Sequence, residues 1–321
     1  MLSPFDYRQI EPTSLSDLAE RWEAGSRVLR LLGDVENLVW HAEGSQPYVI
    51  RLTSPAHRSL AALEAELAWL GSLNQASLPV CRPLPDLAGQ LLTPYRLLDQ
   101  DFFACAFAWV PGEALEQSDP WSNESVQALG KLAARLHLHG HSLSPELLKA
   151  RPDWKSGPHF SHPEAFLKAD QLWVLDALAL CRAQLELLPM TPDHYGLIHG
   201  DIHRGNFFLE GQRPQLFDFD DCHLGWYAQD LAQMLYSAIP RKGSNSAGFA
   251  GWFIDQLKLG YHKIRAWPSL AAETMELFLH WRDLQLFLFI HCRWPELRPE
   301  RAQDSLDRIE PRLRKGLTLI D

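Results

Sequence analysis

The sequence predicts an α+β protein in which a small β-rich lobe is followed by a larger helical one. Three observations carry that expectation. Short apolar runs separated by turn residues fill the first third of the chain, helical periodicity dominates the remainder, and Pro111-Gly112 marks the change. A strand–loop–strand island, Leu197 to Phe219, interrupts the helical part. The expected domains are therefore residues 1–110 and 111–321.

Taken in order, Val28-Leu29-Arg30-Leu31, Leu38-Val39-Trp40 and Tyr48-Val49-Ile50 read as strands, with Gly44-Ser45-Gln46-Pro47 as a turn between the last two. Ala56 to Leu73 reads as a helix, because leucines at 60, 63, 67 and 70 fall on one face, and Pro79, Pro83 and Pro85 close it. Leu91-Leu92 and Phe102 to Val110 return to strand character. Beyond the Pro-Gly break the spacing predicts helices over Ser122–His139, Pro163–Leu188, Ala247–Trp267 and Ala271–Cys292.

Composition narrows the function. The chain has 321 residues, 46% hydrophobic and 22% charged, enough for one large domain or two ordinary ones with a sizeable core. Acidic residues outnumber basic ones 40 to 30, and no basic patch of the kind a nucleic-acid binder needs stands out. The five cysteines are scattered without a CxxC pair, which argues for a reducing compartment and against a disulfide framework. MLSPFDYRQIEP shows no leader pattern, and Leu284–Ile290 is too short to span a bilayer. A cytoplasmic protein without nucleic-acid or membrane partners is expected.

The island carries the chemistry. It reads Ile198-His199-Gly200-Asp201-Ile202-His203-Arg204-Gly205-Asn206, followed by Leu216-Phe217-Asp218-Phe219-Asp220-Asp221. An acid and an amide five positions later sit in a loop between apolar runs, and a second acid follows twelve residues after the amide. Phosphoryl transfer uses such a set: one carboxylate orients a hydroxyl and accepts its proton, while an amide oxygen and another carboxylate hold magnesium. The alternative is a polar turn in which Asp201 and Asn206 cap local backbone groups, but turn chemistry does not require the second acid at a strand end. A metal-dependent hydrolase built on His199, His203, Asp218 and Asp220 is a further alternative, and it leaves Asn206 without a role.

The segment "IHGDIHRGNFFL…LFDFDDCHLGWYAQDLA" resembles the core of the aminoglycoside phosphotransferase and choline kinase superfamily, nearest its type II homoserine kinase and stress-response kinase A branch. "LLGDVENLVW" is similar to the first hairpin of that family, "YVIRL" to the strand bearing the phosphate-pairing cation, and "LEAELAWLGSL" to the helix with its partner glutamate. The resemblance implies a protein-kinase-like fold binding ATP and Mg²⁺ between its lobes. It implies Asp201 as catalytic base, Asn206 and Asp218 as magnesium ligands, and Arg51 paired with Glu66 at the nucleotide. Gly33, Asp34 and Asn37 fall where a loop covers ATP, Phe107–Val110 where the hinge meets adenine, and Asp230 where a structural aspartate braces the catalytic loop. The chain departs from the pattern in two places: Gly33 stands alone instead of in a glycine-rich loop, and arginine replaces the usual lysine at position 51.

Several assignments stay open on sequence. Glu64 flanks the same apolar stripe as Glu66 and competes for Arg51. His137-x-His139-x-His141 resembles a metal cluster, yet it ends a helix, where histidines also meet the last carbonyls. Trp281, Arg282 and Arg293 read either as core or as the rim of an acceptor pocket. Asp220, Asp221 and Asp230 would draw a cationic acceptor if they lined the cleft. The expected activity is transfer of the ATP γ-phosphate to a hydroxyl of a small molecule: an amino alcohol, sugar, aminoglycoside or homoserine-like compound. A serine/threonine protein acceptor is the runner-up. A non-catalytic nucleotide binder is disfavoured by the complete Asp201, Asn206 and Asp218 set.

Overall fold

The structure, a computed structural model, describes residues 7–115, 120–239, 246–296 and 298–320. Its strands are β1 (Arg27–Gly33), β2 (Leu38–Glu43), β3 (Pro47–Thr53), β4 (Pro83–Leu84), β5 (Thr93–Leu97), β6 (Gln100–Ala108), β7 (Glu113–Ala114), β8 (Tyr195–Ile198), β9 (Phe207–Glu210), β10 (Arg213–Leu216) and β11 (His223–Trp226). Its α-helices are α1 (Ser16–Ala19), α2 (Leu60–Gln75), α3 (Asn123–Gly140), α4 (Pro145–Ala150), α5 (Pro158–Ser161), α6 (Val174–Glu186), α7 (Tyr227–Ala238), α8 (Ser246–Tyr261), α9 (Ala271–Arg293) and α10 (Glu300–Lys315). They fall into two compact units. The first holds the described residues up to Gly112 together with Pro145–Arg151 and Gln215–Asp220; the second holds the rest.

Unit 1 is built on an antiparallel sheet of order β1-β2-β3-β6-β4, with β5 also pairing β6. Alternation decides its faces. Trp40 and Ala42 of β2, Ile50 and Leu52 of β3, and Ala104 and Ala106 of β6 enter a core closed by Leu15, Leu18, Ala19 and Trp22. Arg51, between Ile50 and Leu52, must therefore point to the opposite face. Helix α2 starts at Ser59, whose hydroxyl accepts the Ala62 N–H, and buries Leu63, Glu66, Leu67 and Leu70 along one side. Arg151, buried after α4, donates to the Ala62 carbonyl at 2.7 Å and the Asp220 carbonyl at 2.6 Å, so three distant stretches of chain share one guanidinium. Leu216 is held by reciprocal main-chain bonds, accepting from Cys81 at 2.8 Å and donating to Pro79 at 2.9 Å.

Unit 2 is helical apart from two short sheets. In one, β7 pairs antiparallel with β9; in the other, β11 pairs antiparallel with β8, with His223 opposite Ile198. Helix α3 begins in a capping box between Ser122 and Ser125 and crosses α8 closely. A Cβ on Gly130 would collide with the Leu257 carbonyl, and one on Gly260 with the Gln127 carbonyl, so glycine is what admits that crossing.

The helix expected over Pro163–Leu188 is broken. Two 3-10 turns, Pro163–Ala165 and Ala169–Gln171, precede α6, which starts only at Val174. Lys168 is extended, and its N–H donates to the Gln171 side chain at 2.9 Å, a local bond that competes with helix formation. Helices α7 and α10 lie outside the set expected from periodicity. Among the described residues, no helix is long and apolar enough to cross a membrane.

Candidate active site

In unit 1 the sheet and α2 together fix a cation. Arg51 Nη1 and Nη2 donate to Glu66 Oε1 and Oε2, both at 2.8 Å, in a two-pronged pair that is fully buried. Glu64 is exposed on the outer side of α2, so the competition for Arg51 resolves to Glu66. Burial works against the charge of Arg51, but Glu66 outweighs it and holds the guanidinium above its ordinary pKa. Phe107 lies under the same guanidinium, with its ring centroid 5.2 Å away.

The β1–β2 turn is tied into its own sheet. Gly33 has no positive φ, and a Cβ there would meet nothing within 4 Å, so the backbone does not require glycine. Asp34 is half-buried. Asn37 is buried, and its Oδ1 accepts the Thr53 hydroxyl at 2.7 Å, so its carbonyl works inside the sheet. At the expected hinge, the Ala108 N–H donates to the Arg82 carbonyl and the Trp109 N–H to the Pro47 carbonyl. Both of these main-chain donors are therefore engaged within unit 1.

Asp218 follows the buried strand end at Leu216 and is exposed, while Phe219 packs edge-on against Trp69 at 5.3 Å. Its φ of 64° lies in the left-handed region, which aspartate tolerates better than most residues. Such backbone strain concentrates at functional positions. Asp220 turns inward instead. Its Oδ2 lies 2.7 Å from His57 Nε2 and 3.4 Å from Arg58 Nη2. Burial would raise its pKa, but Arg58 and His57 hold it well below the usual carboxylate range.

In unit 2, β8 delivers the loop His199–Asn206, whose floor is closed. Asp230, fully buried near the start of α7, accepts the N–H of His199 at 3.0 Å and of Gly200 at 2.8 Å. His137 Nε2 lies 3.2 Å from its Oδ2, and Tyr261 OH lies 2.9 Å from His137 Nδ1. Burial holds His137 below its ordinary pKa despite Asp230, and the bonds to His137 hold Asp230 low against the opposite pull of burial. Gly200 has a φ of 82°, and a Cβ there would come within 2.5 Å of the Asp221 carbonyl. The residue before the central aspartate therefore has to be glycine.

The tip is arranged differently. Asp201 Oδ1 accepts Gln233 Nε2 at 2.6 Å and Arg282 Nη2 at 2.8 Å. Its Oδ2 accepts Asn206 Nδ2 at 3.2 Å and lies 3.2 Å from His203 Nε2. His203 Nδ1 accepts the Gly205 N–H, which places the ring proton on Nε2, facing Asp201. Burial pushes the Asp201 carboxyl up, but His203 and Arg282 outweigh it and keep it ionised well below the usual range. Asn206 spends its amide hydrogens on the Asp201 side chain and main-chain carbonyl, leaving Oδ1 turned away from that aspartate.

Sequence reasoning missed Gln233 and left Arg282 undecided. The signal for Gln233 was its place three residues after Asp230, on the same face of α7. Trp281 is core, stacked on Phe160 at 4.9 Å and edge-on to Trp154 at 5.6 Å. The histidine triplet is divided: His137 braces Asp230, and His141 Nε2 lies 2.6 Å from Tyr227 OH. Among the described residues, no group of three or more His, Cys, Asp or Glu is placed to hold a metal.

The chain is 26% identical to the amicoumacin kinase of Bacillus subtilis (strain 168) over 292 residues, covering 88% of this chain and 85% of that one. Among solved structures it resembles amicoumacin kinase hAmiN in complex with AMP-PNP, Ca²⁺ and Ami, with a TM-score of 0.84 at 23% identity over 97% of this chain and 95% of that one. It also resembles a microcompartment-associated aminopropanol kinase, with a TM-score of 0.74 at 20% identity over 97% and 100% of the two chains. The fold is thus the protein-kinase-like fold of the aminoglycoside phosphotransferases and choline kinases. The model of the phosphotransferase enzyme family matches residues 27–272, and the chain is a kinase belonging to that family.

Proposed function

We propose that this kinase transfers the γ-phosphoryl group of ATP to a hydroxyl of a small molecule, with Asp201 as the group that orients the hydroxyl and takes its proton. The acceptor oxygen bonds to the γ-phosphorus, the bond from that phosphorus to the β,γ-bridging oxygen breaks, ADP leaves, and the proton passes to Asp201. The observation that carries this reading is the tip of the loop. There a partly exposed carboxylate is held ionised by side chains alone, and the amide five residues on turns its oxygen away from it.

Asn206 and Asp218 are the proposed magnesium ligands. Their oxygens are the hard donors that Mg²⁺ prefers. The exposed Asp218 on its left-handed backbone, and the Asn206 Oδ1 left over from the bonds to Asp201, fit that use. When bound, the ion neutralises phosphate charge. Arg51, immobilised by Glu66, is proposed to pair with the phosphates, and the turn bearing Gly33, Asp34 and Asn37 to cover the nucleotide. A small acceptor is favoured by the named relatives, whose acceptors are amicoumacin and aminopropanol.

The test is magnesium-dependent ATP consumption by the full chain against amino alcohols, hydroxy amino acids, sugars and aminoglycosides, with a generic protein as one arm. Turnover with one small-molecule class, lost on chelation, is the expected result. Phosphorylation of the protein arm alone would overturn the choice of acceptor. ATP consumption unaffected by Asp201→Asn would overturn the role of Asp201.

A further inference from the structure

A carboxylate offers roughly four lone-pair positions. Asp201 has four side-chain donors on its two oxygens: Gln233 and Arg282 on Oδ1, Asn206 and His203 on Oδ2. An acceptor hydroxyl must donate to this same carboxylate if its proton is to leave that way. One of the four donors therefore has to withdraw before an alcohol binds.

The four differ in how easily they let go. Asn206 is held by a second bond, to the Asp201 main-chain carbonyl at 3.0 Å. His203 belongs to the same loop and is anchored there through the Gly205 N–H at 2.9 Å. Gln233 is neutral and lies on α7, the helix that Asp230 ties to the loop floor. Arg282 stands apart. It comes from α9 on a long flexible stem, and it is anchored to Asp201 through one edge of its guanidinium while its Nε is buried without a partner.

Charge decides what would draw Arg282 away. The neighbouring acid, Asp283, is fully buried and already closed by Arg312, at 2.7 and 3.0 Å, and by the Tyr236 hydroxyl at 2.6 Å. Among the described residues, Asp201 is the only carboxylate that pairs with Arg282. Asp230, which sequence offered as a lure for cationic acceptors, is consumed by His137 and the loop backbone. The ionisable side chains that bond the Asp201 carboxylate are thus an arginine and a histidine. Moving a partly buried guanidinium off its only carboxylate is unfavourable unless another anion receives it, and a guanidinium matches a carboxylate through two parallel bonds.

We propose that Arg282 selects acceptors that carry a carboxylate as well as the hydroxyl to be phosphorylated. The guanidinium passes from Asp201 to the acceptor carboxylate, and the position vacated on Oδ1 receives the acceptor hydroxyl. Arg282 is then a specificity-determining residue, and the acceptor class is the hydroxy acids, hydroxy amino acids included. This inference rests on the assignment of Asp201 as the hydroxyl-orienting group.

The experiment uses matched alcohols that differ by one carboxylate, such as homoserine against 3-amino-1-propanol and glycerate against ethylene glycol. Each is titrated calorimetrically into the wild-type chain, Arg282→Gln and Arg282→Lys, with phosphoryl transfer followed on the same samples. The wild type is expected to bind the carboxylated member at least about tenfold more tightly, a difference of about 1.4 kcal/mol. Arg282→Gln is expected to bring the two members of a pair within about threefold of each other, and Arg282→Lys to fall between, because a lysine keeps the charge but loses the fork. Equal or better binding of the member without the carboxylate by the wild type, binding of no member of any pair, or a preference that survives in Arg282→Gln would each overturn the proposal. Carboxylate-dependent binding that Arg282→Gln abolishes supports it even without transfer, and missing transfer then counts against the kinase chemistry assigned to Asp201.

Discussion

Asp230 and Asp201 serve the floor and the tip of one loop, and their partners are of opposite kinds. Asp230 is fully buried and takes two main-chain N–H groups and one buried histidine. Asp201 is 18% exposed and meets only side chains: a glutamine, an arginine, an asparagine and a histidine. Main-chain donors cannot leave without unfolding the loop, whereas side-chain donors leave by changing rotamer. The floor is built to stay, and the tip is built to exchange partners. Two aspartates in one unit are thereby separated into a brace and a reactive group by what donates to them.

The largest expected break in this comparison is kinetic. Asp201→Asn keeps size but removes the proton acceptor and turns one accepting oxygen into a donor, so turnover should fall by about 10²–10⁴-fold, as for loss of general-base help. Steady-state rates check this, and a loss within about threefold would be far below that range. The corresponding break at the floor is in stability. Asp230→Ala leaves two loop N–H groups and His137 without their carboxylate, and each buried donor left unsatisfied in this way costs about 1–3 kcal/mol. Urea denaturation measures it; a change under about 1 kcal/mol would place Asp230 among ordinary surface-like positions.

Unit 1 offers a third contact that sharpens the contrast, because Arg51 and Glu66 form a sealed two-pronged pair. A double-mutant cycle on Arg51→Ala and Glu66→Ala should show about 0.5–3 kcal/mol of coupling in stability, the usual range for contacting residues. Strict additivity would contradict the bonds seen. In the ATP Michaelis constant, both single changes should raise the value.

How much of this was legible in the sequence follows from how far apart the partners lie. The Arg51–Glu66 pair was within reach because strand alternation and a leucine stripe orient each residue locally. The Asp201 and Asn206 pair was legible because five residues of loop hold both. Asp230 was expected to brace the loop by resemblance, and its three bonds supply the physical reason. Arg282 reaches Asp201 from 81 residues away, and no periodicity announces which helix face will meet a loop at that separation. The missed break near Lys168 has a similar cause. The helical spacing of the leucines beyond it was read back across residues whose side chains bond their own backbone. Asn37 was placed at the nucleotide by resemblance alone, and the hydroxyl it accepts from Thr53, on β3, has no signal in the sequence.

The smallest expected effect is in pH. His137 has a folded pKa below its ordinary value, so the unfolded chain takes up a proton first as pH falls through about 6.5, and stability drops from there downward. Asp230 also has a lowered folded pKa, and its contribution, complete above about 4, is lost as pH falls further. Both terms have the same sign: unfolding free energy should rise with pH between about 4 and 7. In His137→Asn the upper part of that slope should flatten, as followed by urea midpoints across the range.

The most direct test of the division between brace and reactive group is to carry Asp201→Asn and Asp230→Asn through both assays side by side. Asparagine keeps the size of each side chain while removing the charge and one accepting oxygen at both positions alike. The account predicts that Asp201→Asn loses at least about a hundredfold in magnesium-dependent turnover while its urea midpoint stays near wild type. It predicts that Asp230→Asn loses stability first and turnover only in proportion to the unfolded fraction. The reverse pattern, with the floor variant stable but inactive and the tip variant active but unstable, would contradict it.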